Sequence, residues 1–161
     1  MSISYEDIKN KRIELEMKHN TRQDFLRKSL ISLFNEYKDS LILPAKSWKD
    51  ANGVDQPYVT CGEINSKGLY ESKPVAAFRT NDDHIIMCLI STVVDDSLYG
   101  GGAHYLVAVS LRMDGGRLIV DVGEGTRQII VSSPEENGAY FEVCAAIKAF
   151  IMHGLSDSRL D

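Results

Sequence analysis

Positive charge is in short supply in this chain: 18 Lys and Arg stand against 23 Asp and Glu, for a formal net charge of -5. DNA, RNA and anionic membrane all attract proteins through an excess of basic side chains, so the balance counts against them as partners and favours a basic one. Long apolar runs are missing as well. No stretch approaches the roughly 18 apolar residues that a bilayer-spanning helix needs. The opening Met1 to Asp7 has no basic segment followed by an apolar one, so the reading is of a cytoplasmic protein. Cysteine is scarce. Cys61, Cys88 and Cys144 show none of the short spacings of a zinc knuckle or redox pair, and the last two lie in apolar runs where a thiol acts as a small hydrophobe. What the chain does have, 43% hydrophobic and 25% charged residues over 161 positions, is the composition of one folded domain and excludes a disordered tract.

The hydrophobic pattern divides the chain into a helical segment (1–43), a run of strands (58–132), a second helix (133–154) and a polar tail (155–161). In the first, Leu26, Leu30, Leu33, Phe34, Tyr37 and Leu41 recur at three- and four-residue steps, which puts them on one helix face. Ile8 and Leu15 prolong the stripe, while Arg12, His19 and Arg22 interrupt it. Ser4 is placed to cap the start, with Glu6 and Asp7 in the first turn. Asn20-Thr21 offers a second cap, so one long helix and two joined helices both fit. Pro44 is the expected stop. Residues 44–57 read as a loop holding Trp48, residues 58–64 as a strand, 65–73 as a polar connection and 75–79 as a further strand.

The centre of the chain is His84 to Val94, which is apolar on both parities and so predicts cover on both faces near its start. Tyr105 to Met113 follows. A turn at Gly115-Gly116 then pairs Asp114 with Arg117, Met113 with Leu118 and Leu111 with Val120, avoiding the Arg112–Arg117 repulsion that a turn at Asp114-Gly115 would create. Residues 127–132 form the last strand. Ser133-Pro134-Glu135-Glu136 reads as a capping box opening the second helix, whose apolar stripe is Tyr140, Cys144, Ile147 and Ile151. The fold class is therefore α+β: an antiparallel meander of about six strands with a long N-terminal helical segment and a C-terminal helix packed on it.

Candidate chemistry follows from the up-and-down path. The loop after the central strand and the Gly123 to Thr126 turn return to one end of the sheet, which gathers Asp95, Asp96, Tyr99, His104, Asp121 and Glu124 on one rim. Turns favour Asp and Gly for their own sake, and one His among scattered carboxylates is a poor metal signature. The Gly100 to Gly102 loop opens a strand and lacks the Lys-Ser or Lys-Thr of a phosphate cradle. No catalytic residue, metal or cofactor is assigned. His19, His84, His104 and His153 are far apart in sequence, and His19 falls on a solvated helical face. The mixed charges of the first helix read as i to i+4 pairs and not as a nucleic-acid stripe. The expected function is a non-enzymatic protein-binding domain, most concretely an inhibitor that neutralises a basic nuclease-like toxin, in the general manner of bacterial immunity proteins by size and charge alone. The alternative is a small metal-binding domain or hydrolytic enzyme using the same rim.

Overall fold

The computed structural model describes residues 2–160, so the two ends of the expected 1–161 unit lie outside the described residues. A single helix, α1 (Tyr5–Ser40), opens the chain. Ser4 and Asp7 close a reciprocal capping box, Ser4 Oγ accepting from the Asp7 amide and the Asp7 carboxylate from the Ser4 amide. Asn20-Thr21 is helical throughout, so of the two versions the continuous one forms. The helix stops before Pro44: Ile42 takes a left-handed φ of 50°, which a β-branched residue cannot propagate. At 36 residues α1 spans about 54 Å by its rise. Burial begins only at Leu26, and in the half before it Gln23 and His19 still meet Thr80 and His84 while most other side chains stay exposed.

Residues 44–57 hold a small hairpin, β1 (Trp48–Lys49) with β2 (Asp55–Gln56), where a loop was expected. Then come β3 (Val59–Ile64), β4 (Tyr70–Ser72), β5 (Ile86–Val93), β6 (His104–Asp114), β7 (Arg117–Val122) and β8 (Arg127–Val131). They form one antiparallel sheet in the order β4-β3-β5-β6-β7-β8. The β6–β7 register joins Asp114 to Arg117, Met113 to Leu118 and Leu111 to Val120 across Gly115-Gly116. Both glycines have positive φ, as a tight hairpin of this kind requires.

Two expected elements are replaced. The polar 65–73 connection contains β4, formed because Asn65 closes a turn by accepting from the Lys67 and Leu69 amides and folds the chain back on β3. The segment 75–79 is not a strand but a 3-10 turn (Val75–Ala77) against α1, tied there by Arg27 Nε donating to the Phe78 carbonyl at 3.1 Å. Ser133 to Ala139 is a run of turns, with Gly138 at φ 79° blocking helix entry. The second helix, α2 (Phe141–Gly154), starts only after it.

Both helices lie on one face of the sheet. Leu26, Leu30, Leu33 and Tyr37 of α1 and Val143, Ile147 and Ile151 of α2 meet Ile86, Cys88, Ile90, Val107, Leu111 and Val120 in one core. Tyr37 carries its hydroxyl into that core and satisfies it on Thr92 Oγ1 at 2.8 Å. The helices clasp each other through Lys148 Nζ, which donates to the Ser40 carbonyl, and Glu36, which accepts from the Tyr140 amide at the start of α2. The double cover expected for the start of β5 is absent. Ile86, Cys88 and Ile90 face the helices, whereas Met87 on the opposite parity is 64% exposed.

Candidate functional site

Strand parity decides which side chains the uncovered face presents. Leu89 sits at its middle, paired on one side with Gly62 and on the other with Ala108. Small residues flanking a large one leave a trough. The next rung places Met87 beside Ser110, and Ser110 beside Asp121. These residues line an open groove of about 640 Å³ whose walls include Ile64 and Glu124. Gly62 is required there, because a Cβ would run into the Glu71 backbone carbonyl and, at 2.7 Å, the Tyr70 ring. Tyr70 lies across this glycine and its hydroxyl meets Thr60 Oγ1 at 2.7 Å. Burial, offset in part by that hydrogen bond, raises its pKa, so it remains a phenol.

Beyond Tyr70 the same face opens into a second, more polar cleft of about 430 Å³ lined by Trp48, Asp50, Thr60, Tyr70, Ser91 and His104. The β1–β2 hairpin forms one wall. Trp48 donates its indole N–H to the Pro57 carbonyl and lies close to Gly102. Asp50 accepts from the Val54 and Asn52 amides and from Gln56, which holds its carboxyl below the usual range. The His104 ring is tilted against Tyr70 with centroids 5.8 Å apart.

The six residues expected on one rim fall into two sets. The β5–β6 loop and the β7–β8 turn do point to the same end of the sheet, but β6 is longer than β7. Val93 pairs with His104, while Val122 pairs with Val109, five positions further along β6 (104 to 109). That stagger is about 17 Å at the rise of an extended strand. Asp95, Asp96, Tyr99 and His104 belong to the far loop and the polar cleft. Asp95 accepts from the Ser97 hydroxyl and amide, which lowers its pKa, and Asp96 accepts from the Tyr58 hydroxyl at 2.6 Å, which raises that of the tyrosine. Tyr99 is exposed at φ 66°. Asp121 and Glu124 instead border the apolar groove. Asp121 shares Arg112 with Asp114, at 3.6 and 3.7 Å, and Glu124 stands free in its turn at φ 56°.

Two carboxylates near a basic residue, and a histidine some way along the sheet, make no acid–base pair within reach of a common atom. Among the described residues no three His, Cys, Asp or Glu side chains converge as metal ligands. What the arrangement can do is present an apolar trough with a negative border. Leu89, Ala108 and Gly62 were outside the rim inferred from the sequence. A glycine inside a strand pattern, read as a close-approach position, was the available signal.

The fold and face define an α+β domain whose sheet is covered on one side only. Comparison with protein-family models, curated proteins and solved structures finds no match to this chain. No helix of the described residues is long and apolar enough to cross a membrane.

Proposed function

We propose that this is a protein-binding domain that uses the uncovered sheet face to engage a basic partner, most concretely the positive active-site cleft of a nuclease-like toxin. The observation that carries the reading is the Gly62-Leu89-Ala108 trough with Asp121 and Glu124 at its border. An apolar centre within a polar border is the anatomy of a protein interface. The net charge of -5 adds long-range attraction for a basic surface and raises its association rate. Asp95, Asp96 and Tyr99 extend the border on the far loop, and His104 lies in the cleft between. Arg112 offsets part of the Asp121 charge, so Glu124 is the carboxylate with most to contribute.

The test is titration of the purified protein against a panel of basic nuclease toxin domains by calorimetry at low salt. Binding that weakens with added salt, and at least tenfold with Glu124→Lys, is expected. Indifference to every toxin at low salt would remove the reading.

A further inference from the structure

Two histidines separated by 65 residues in sequence meet on the helix-covered side of the molecule, in a hollow that shares no lining residue with the groove. His19 Nδ1 lies 3.2 Å from His84 Nδ1, with the rings inclined at 63° and centroids 5.2 Å apart. Neither ring is there by accident of its own mobility. His19 falls in the same phase of α1 as Leu26, Leu30 and Leu33, so it faces the sheet side, one or two turns before the core begins. His84 ends a turn organised by Asn81, whose side-chain oxygen accepts from the Asp83 and Ile85 amides while its carbonyl accepts from the His84 amide. His84 itself takes a left-handed φ of 61°. The segment before that turn is fastened to α1 by Gln23, which accepts from the Thr80 amide and hydroxyl, and by Arg27 on the Phe78 carbonyl. The backbone positions that carry the two rings are thus held next to each other from both sides.

We propose that His19 and His84 form a two-imidazole site for a divalent transition metal of the Zn²⁺ class, and that the bound ion pins the N-terminal half of α1 to the turn before β5. Two nitrogens of a tetrahedral zinc centre, each about 2.0–2.1 Å from the metal, stand about 3.3 Å apart. The observed separation matches that edge. Nitrogen donors suit zinc, copper and nickel, whereas calcium and magnesium call for oxygen. No carboxylate joins the pair among the described residues, which leaves the remaining coordination positions to water or to a ligand from outside. Lys18 and Arg22 line the same hollow and oppose a cation there; Glu14, also in its wall, pairs with Lys18 at 3.1 Å. The ion is therefore held by direct metal–nitrogen bonds and not by local charge. In its absence one Nδ1 carries a proton and donates to the lone pair of the other, and metal binding requires that ring to hold its proton on Nε2 instead.

The proposal is independent of the partner reading, since it uses no residue of the groove. Its test is the melting temperature and calorimetric titration of the full chain with Zn²⁺, alongside His19→Ala, His84→Ala and, as control, His104→Ala. Binding to the native state raises the melting temperature. The expected result is one Zn²⁺ per chain in the wild type and in His104→Ala, at least tenfold weaker binding in each of the other two, and slower amide exchange in residues 8–22 when zinc is present. Equal Zn²⁺ affinity in His19→Ala or His84→Ala, or no binding by the wild type, would overturn it. Since both side chains reach solvent, their removal leaves the fold intact, and circular dichroism of each variant verifies that.

Discussion

At the scale of single residues, Cys144 shows which of two opposed influences prevails. It occupies the first turn of α2, where the positive end of the helix dipole ordinarily makes a thiol more acidic. Burial in the core, reinforced by the Glu36 carboxylate 3.8 Å from its sulfur, pushes the pKa instead up to about 12. Desolvation outweighs the dipole, and the thiol serves as a donor to Glu36 while that same carboxylate takes the Tyr140 amide. The raised value has a consequence for stability. In the unfolded chain the thiol ionises near its ordinary 9.0, well before the folded one does. Its contribution to stability is therefore complete below that pH and is lost as the pH climbs from there towards 12. Urea midpoints measured from about pH 8 to 10.5 should fall less steeply for Cys144→Ala than for the wild type. Tyr140, also raised by burial, acts in both proteins, whereas Tyr37 is raised by burial and in smaller part by Cys144 itself, so its change in the variant flattens the slope in the same direction. Parallel slopes would mean that the folded thiol ionises as readily as the unfolded one.

At the scale of elements, α1 carries one apolar stripe through two environments. Leu15 and Leu30 are in similar phase on the helix, yet Leu30 is fully buried and Leu15 is 67% exposed. Leu30→Ala should cost about 2–5 kcal/mol, lost transfer energy plus a cavity. Leu15→Ala should stay within about 0.5 kcal/mol. Denaturant unfolding of the two variants measures both, and a comparable loss at Leu15 would mean that the N-terminal half is packed against something in solution. The same contrast marks how far a sequence can be read. Periodicity identifies a face, and the registered hairpin at Gly115-Gly116 follows from local charge pairing and turn chemistry alone. Neither tells where the sheet ends under the helix, since that depends on strand length and long-range placement. β4 escaped notice because three residues are too few for a pattern, and the 75–79 segment misled because Val75, Ala77 and Phe78 are apolar for the sake of α1 and not of a neighbouring strand. The Ser133 capping box was chemically sound, but Gly138 in a left-handed conformation overrode it. The rim failed to close for a related reason: the up-and-down path tells which end of the sheet a loop reaches but not how far, and β6 outruns β7 by several residues at the His104 end.

At the scale of the whole molecule, the decisive property is that one sheet has two unequal faces. β5 is apolar on both parities, but the helices cover only one of them. Apolar side chains on the open face, Met87 and Leu89 among them, thus gain less from folding than those under the helices. Leu89 and Ile90 are adjacent in the chain and point to opposite faces, which separates folding from binding in two substitutions. Ile90 is fully buried among the helices, so Ile90→Ala should cost about 2–5 kcal/mol by denaturant unfolding. Leu89 is half-buried in the groove floor, where a lysine can run its methylene stem along the sheet and hold its ammonium in water. Leu89→Lys should therefore cost no more than about 1 kcal/mol of stability, half the usual gain from burying a leucine side chain. Its effect on a basic partner should be far larger. The substitution removes the apolar centre of the trough and sets a positive charge between Gly62 and Ala108, so an interaction seen with the wild type should weaken by at least a hundredfold. A variant that folds normally and still binds with unchanged affinity would place the interface elsewhere, on the far loop of Asp95 to His104 or on the N-terminal half of α1.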